Sequence, residues 1–174
     1  KWILEALKEL ERTNSRKLII DLRNNPGWYL WKVNEILSRF IQDGEPVAIV
    51  QQWKQDIFYT ASNKEKIDIS GYTIILLQNS GTASASEIMI GTLKDYFPNI
   101  ITLGEKSFGK WSVQSLKQYY DGSTLKYTSA KWFTGKSRTA IDGIGISPDI
   151  ELIFDQELFE TSKVDNQLQR ALSY

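Results

Sequence analysis

The chain contains no histidine and no cysteine. Without imidazole there is no Ser-His-Asp triad, no Cys-His pair, no HExxH zinc site and no histidine general base. Without thiols there are no disulfides, no thiolate nucleophile and no Cys-ligated zinc. Acid-base chemistry here must therefore use carboxylates, lysine, tyrosine or the chain's amine. Net charge is absent too: 21 Lys plus Arg balance 21 Asp plus Glu. Neither nucleic acid nor an anionic membrane is an expected partner, since both call for a basic field. No apolar run approaches the roughly 18 residues of a spanning helix, and no charged, then apolar, leader pattern opens the chain, so no membrane contact is expected of this segment. What remains is 174 residues, enough for one domain with its own core. The first residue is Lys1 and the pattern is helical at once, as in a piece of a longer polypeptide.

Hydrophobic spacing orders the elements. Ile3, Leu7 and Leu10 follow helical spacing up to the breaker cluster Thr13-Asn14-Ser15. "KLIIDL" (Lys17 to Leu22) is a continuous apolar run, the pattern of a strand covered on both faces in a parallel sheet. After the turn "RNNPG", Leu30, Val33, Leu37 and Phe40 predict a second helix, with Gly44 as its C′ glycine. "VAIVQQW" (Val47 to Trp53) and Asp56 to Thr60 predict paired strands, and "YTIILLQ" (Tyr72 to Gln78) another buried one. A helix from Ser84 to about Phe97 presents Ile88, Met89, Leu93 and Tyr96, and Pro98 ends it. Ile100 to Leu103 reads as a short strand. Val113 to Tyr120 and Ser123 to Phe133 alternate as two strands about the Asp121-Gly122 turn. A last helix is expected around Asn166 to Ser173. The string is α/β, with no internal repeat.

Between "YTIILLQ" and the following helix lies "NSGTASASE" (Asn79 to Glu87). Ser84 and Glu87 fit a capping box, Ser at N-cap and Glu three residues on, and a plain helix start accounts for them. The same geometry suits a nucleophile, because a serine at a helix start lies beside free backbone N–H groups able to receive an oxyanion. A serine nucleophile needs a base, and lysine serves only if neutral. Lowering a lysine from ~10.4 to ~7 requires roughly 4 to 5 kcal/mol of destabilisation of its ammonium, obtained by burial among apolar groups. Most lysines lie in polar runs. Lys110, in "SFGKWSV", stands between Phe108 and Trp111. It is either that base or a snorkelling surface lysine.

Taken together, these stretches resemble the carboxy-terminal processing peptidases, or tail-specific proteases, a family of Ser-Lys serine peptidases. "KLIIDLRNNPG" (Lys17 to Gly27) is similar to the family's strand-turn signature and "NSGTASASEIMIGTLKDY" (Asn79 to Tyr96) to its nucleophile segment. "GEKSFGKWSVQ" (Gly104 to Gln114) is similar to its lysine segment, while "DGSTLKYTSAKWFT" (Asp121 to Thr134) and "IDGIGISPDIEL" (Ile141 to Leu152) resemble its closing strands and terminal motif. The order is conserved along almost the whole chain. The resemblance implies a ClpP/crotonase-like core, a mixed sheet with flanking helices, with residues 1–174 as the catalytic core domain. It implies Ser84 as nucleophile, Lys110 as general base, Gln114 as the residue that positions the lysine amine, and the backbone N–H groups of Ala85 and Gly27 as the oxyanion hole. On a strand, Lys110, Ser112 and Gln114 would share a face. No cofactor and no metal are implied. The implied partners are a polypeptide substrate and, in a full-length chain, a PDZ domain preceding this core; extracytoplasmic residence in the periplasm or cell envelope is implied by resemblance alone.

Two positions depart from the family pattern. Trp28 and Trp111 stand where the family usually has glycine, which permits backbone shapes and close approach that tryptophan resists. Trp28, Tyr29 and Trp31 are either walls of a substrate cleft or helix packing. Two other functions fit the same scaffold: a non-catalytic binder of peptides or lipophilic ligands, and an acyl-CoA enzyme of crotonase type. The second lacks an obvious phosphate site.

Overall fold

The computed structural model describes residues 2–13, 15–27, 29–62, 66–140 and 143–174. Along them run α1 (Trp2–Arg12), β1 (Lys17–Asp21), α2 (Leu30–Leu37), β2 (Pro46–Gln52), β3 (Gln55–Thr60), β4 (Thr73–Gln78), α3 (Ala85–Tyr96), β5 (Ile101–Gly104), β6 (Ser112–Gln118), β7 (Thr124–Thr134), β8 (Ile150–Glu151), α4 (Gln156–Ser162) and α5 (Asn166–Leu172). The α/β architecture carries parallel and antiparallel pairing in two separate sheets. One, ordered β1-β4-β5-β8, is parallel throughout; the other, ordered β3-β2-β7-β6, is antiparallel throughout.

The continuous apolar runs of β1 and β4 have the cause their pattern implies, cover on both faces. Ile74 and Leu76 of β4 pack with Met89, Ile90 and Leu93 of α3 and Leu37 of α2, whereas Ile75 and Leu77 face Ala171 of α5. Between the sheets runs α3. Its Ile88 turns the other way, onto Ala48, Val50, Ala130 and Trp132 of the antiparallel sheet. Burial of Ile90 and Leu93, each almost wholly covered, contributes about 1.5–3 kcal/mol per side chain. A helix clamped on two sides has its first residue fixed relative to both sheets.

Three features differ from the expectation. α2 ends at Leu37, where Ser38 Oγ donates to the Asn34 carbonyl at 2.7 Å; Phe40 and Ile41 complete the apolar face from the turn beyond, both 2% exposed. The apolar period outlasts the helix because that turn packs on the same core. Gly44 is accordingly not a C′ residue. It takes φ +83 in the approach to β2, where its N–H meets the Ala61 carbonyl at 2.9 Å. The short β8 and the exposed α4 carry no apolar period to read. α4 rests on its cap, Asp155, whose side chain accepts the Leu158 N–H.

A polar joint ties β5 to the segment entering β8. Asp149 Oδ2 accepts from Thr102 N–H and Thr102 Oγ at 2.8 Å each, and Asp149 Oδ1 pairs with Lys94 Nζ. Burial pushes the Asp149 carboxyl up, but Lys94 and the Thr102 donors outweigh it and hold it below the usual aspartate range. A depressed folded value means stability present above the unfolded value, ~3.9, and lost as pH falls through the folded one. Asp149→Asn is expected to flatten the acid limb of thermal midpoint against pH; a slope equal to wild type would rule this joint out as its source.

Candidate active site

β4 hands the chain to a six-residue turn that ends at Ser84, the N-cap of α3. Ser84 has φ 57 and ψ −119, a conformation that costs a non-glycine residue on the order of 1–3 kcal/mol and persists only when its surroundings impose it. The surroundings do. Thr82 Oγ donates to the Leu22 carbonyl at 2.8 Å and accepts the Asn79 N–H at 3.0 Å. Asn79 Oδ1 accepts from Gly81 N–H at 3.0 Å and from Asn24 N–H at 2.8 Å. Ala83 N–H meets the Asn25 carbonyl at 3.0 Å. The serine turn and the turn after β1 are thus laced into one unit.

Ser84 and Glu87 form the capping box that their spacing predicts. Glu87 Oε2 accepts the Ser84 N–H at 2.8 Å. The Glu87 and Ile88 N–H groups also turn to the Ser84 carbonyl at 2.9 and 3.0 Å. Glu87 is 0% exposed, and three further donors converge on it. Ser107 Oγ and Gly109 N–H reach Oε1 at 2.6 and 2.7 Å; Lys110 N–H reaches Oε2 at 2.9 Å. One buried carboxylate therefore binds the backbones of Ser84 and Lys110 together.

The lysine loop is held from three other directions. Phe108 N–H donates to the Thr82 carbonyl at 2.9 Å, and the Trp132 indole N–H donates to the Lys110 carbonyl at 3.1 Å. Ser107 exchanges hydrogen bonds with Ile146: its N–H donates to the Ile146 carbonyl at 3.1 Å and its Oγ accepts the Ile146 N–H at 2.7 Å. Gly109, at φ +87, leaves no room for a Cβ, which would lie 2.7 Å from Gly145 N. At Gly145, φ +72, an added Cβ would lie 2.2 Å from the Ser107 carbonyl oxygen, so glycine is required there too, by a different neighbour.

Gly27, at φ +67, closes the second side of the helix start. A Cβ there would lie 2.5 Å from Ala85 N and 2.6 Å from the Ala83 carbonyl oxygen. The Ala85 N–H meets no acceptor among the described residues, whereas the Gly27 N–H donates to Asn25 Oδ1 at 3.0 Å. Ser84, Ala85, Lys110, Ser112 and Gln114 line one cleft of about 360 Å³, with Tyr29, Leu30, Val50, Tyr59, Ile88, Val113 and Trp132 as its apolar wall. Among the described residues no group of three or more His, Cys, Asp or Glu side chains could hold a metal ion.

With the cleft described, the chain's relatives can be named. The model of peptidase family S41 matches residues 1–152. The chain belongs to peptidase family S41. Two curated relatives, both described as "Probable CtpA-like serine protease", come from Staphylococcus saprophyticus and Staphylococcus aureus strain N315. They are 38% and 36% identical over 83% and 85% of the chain. The chain spans 29% of the length of each. Among solved structures, a photosystem II D1 C-terminal processing protease is 30% identical with a TM-score of 0.74. The match covers 86% of this chain and 38% of that one.

In this S41 chain all of the residues expected at the site except Gly27 line the one cleft, and Gly27 borders it through Ala85. The route differs from the expected one. Lys110 precedes β6, so the strand face that Ser112 and Gln114 share does not extend to it; the register shift opposite Val113 and Gln114 places its extra residue, Ser129, on β7. Lys110 is exposed. The Gln114 amide donates to Ser112 Oγ at 3.1 Å and Thr128 Oγ at 2.8 Å, which leaves its carbonyl oxygen as the end able to accept from an amine. Trp111 is not a lining residue of the cleft: its ring meets Phe133 edge-on at 6.0 Å and lies under Lys131 Nζ at 4.1 Å. Tyr29 is a cleft wall and Trp31 a surface residue whose ring lies tilted against it, centroids 6.0 Å apart. Trp28 lies outside the described residues, as do Ile141 and Asp142 of the terminal motif. Sequence reasoning missed the wider role of Glu87, although S-x-x-E marked its position, and missed Asn25, Asn79 and Trp132.

Two substitutions test this geometry. Gly27→Ala forces a Cβ onto Ala85 N at a positive φ, and is expected to abolish turnover of a peptide substrate and lower the thermal midpoint; wild-type kcat would contradict the close approach. Glu87→Gln turns an amide NH2 toward donors, and each buried donor left unpaired costs about 1–3 kcal/mol. Its thermal midpoint should fall and its kcat drop at least tenfold, a loss of about 1.4 kcal/mol or more in the transition state, as steady-state kinetics would report.

Proposed function

We propose that this chain is the catalytic core of a carboxy-terminal processing peptidase that cleaves polypeptides with Ser84 as nucleophile and Lys110 as general base. The observation that carries the reading is the convergence of both residues on Glu87 by their backbones and on one cleft by their side chains. Ser84 lines the cleft in which a scissile carbonyl would lie. In the proposed cycle a neutral Lys110 amine takes the hydroxyl proton as Ser84 Oγ bonds to the scissile carbonyl carbon. Negative charge gathers on the carbonyl oxygen, which Ala85 N–H receives, joined by Gly27 N–H once Asn25 Oδ1 gives it up. Lys110 then protonates the departing amine. Water, deprotonated by Lys110, hydrolyses the acyl-enzyme and restores Ser84.

Lys110 is exposed, so its apolar surroundings are completed by the substrate chain itself, laid against Trp132, Val113 and Val50. Gln114, its amide hydrogens already committed, offers Oε1 to orient the lysine amine. Cleavage near a substrate's C-terminus, a PDZ domain upstream in the full-length protein and an extracytoplasmic location belong to the same proposal. They are supported by the family resemblance, and the first also by likeness to a C-terminal processing protease.

In the full-length protein, Ser84→Ala and Lys110→Ala should each abolish cleavage of an unstructured polypeptide with an apolar C-terminus. Lys110→Arg should be as inactive, because a guanidinium remains protonated at any working pH. Cleavage followed by mass spectrometry decides the matter; activity retained in the Ser84 or Lys110 variants would refute the dyad.

A further inference from the structure

Residues 153–174 lie beyond the stretch matched by the family model, yet they reach the turn that closes the helix start. The link is Arg23, two residues beyond β1, whose side chain is 14% exposed. Its guanidinium has two working edges. Nε and Nη2 engage Asp21, at 3.0 Å to Oδ1 and 2.6 Å to Oδ2. The other edge engages the start of α5: Nη1 meets Asp165 Oδ1 at 3.1 Å and Gln167 Oε1 at 2.9 Å, and Nη2 meets Asp165 Oδ2 at 2.8 Å. Burial pushes the Asp165 carboxyl up, but hydrogen bonds from Arg23 and from Leu168 N–H outweigh it and hold it below the usual range.

The two edges do different work. Asp21 is two residues from Arg23 and travels with it, so that pair cannot orient the turn against the rest of the molecule. Asp165 is 142 residues away, a non-local restraint. Gln167, 0% exposed, carries the restraint into the parallel sheet by donating to the Leu152 carbonyl at 2.6 Å. On the other side of Arg23, Asn24 at φ 55 gives its N–H to Asn79 Oδ1, and Asn25 accepts from Ala83 and Gly27. Any displacement of Arg23 is passed along these bonds to Gly27 and the start of α3.

Resting on the serine-peptidase reading above, we propose that Asp165 is a positioning residue of the active site: through the second edge of Arg23 it fixes the turn carrying Gly27, making the start of α5 a support of the catalytic apparatus. Misplacement of a site by about 1 Å costs on the order of 100-fold in rate, so a modest slackening of this turn is kinetically visible.

The test is Asp165→Asn in the full-length protein. Asparagine keeps the size and caps a helix as well as aspartate, so α5 survives while the charge and one acceptor are lost. We expect kcat to fall roughly 10- to 100-fold with KM unchanged and a thermal midpoint that is lowered but remains above the assay temperature, since one partner of a largely buried ion pair is lost. Asp155→Asn, the same change at the cap of α4, should leave kcat at wild type. Wild-type kcat in a folded Asp165→Asn variant overturns the proposal, as does a loss of kcat that disappears when the assay is cooled well below the variant's midpoint. Should Asp165→Asn fail to fold, Gln167→Met removes the neighbouring acceptor and is read the same way. Ser84→Ala measured in parallel separates the two claims: if it is inert while Asp165→Asn is fully active, the dyad stands and the positioning role falls.

Discussion

Everything at the site is referred to the Glu87 carboxylate. Two oxygens collect four donors, three from the backbone and one from Ser107, with no access to solvent. A carboxylate accepting backbone N–H groups makes charge-assisted hydrogen bonds, shorter and roughly twice as strong as neutral ones. In a buried setting such an acceptor is costly to remove, since each donor is then left unsatisfied. The lysine loop has no regular secondary structure of its own. Its position is therefore dictated by this anchor, by Trp132 and by the Thr82 carbonyl rather than by a strand ladder.

The two sheets supply the rigidity that makes the anchor useful. α3 is gripped by the parallel sheet through Met89, Ile90 and Leu93 and by the antiparallel sheet through Ile88. The strained Ser84 sits at the end of a helix that cannot swing to relieve it. Lys110 arrives from the loop that enters β6, an edge strand of the antiparallel sheet, and Gly27 from the turn after β1, so three chain segments meet at one helix start. Strain at such a point is sustained by the packing of the elements around it.

Much of this was legible beforehand where it depended on neighbours in sequence. The buried runs of β1 and β4, the paired strands about Asp121-Gly122 and the helix after Ser84 all follow from local period and turn residues. The end of α2 was not, because Phe40 and Ile41 pack on the core from a turn and imitate further helix. β8, two residues long, has no period at all. At the site, Ser84 and Lys110 stood out in their segments as candidates, but the expected strand face reaches only from Ser112 to Gln114. Lys110 lies before β6, in a loop whose course is set by Glu87 and Trp132.

The sequence alone determined which chemistry is open to this protein. A chain without histidine or cysteine, with serine-rich and lysine-bearing segments in a familiar order, has a narrow choice of nucleophile and base. Tertiary structure decided how those groups are held: that Glu87 is a hub as well as a cap residue, that the Gly27 N–H rests on Asn25, and that Arg23 joins the turn to α5. The physical reason is range. Periodicity and capping are written into residues a few places apart, whereas a carboxylate that gathers donors from positions 84, 107, 109 and 110 is defined only once the chain has folded around it.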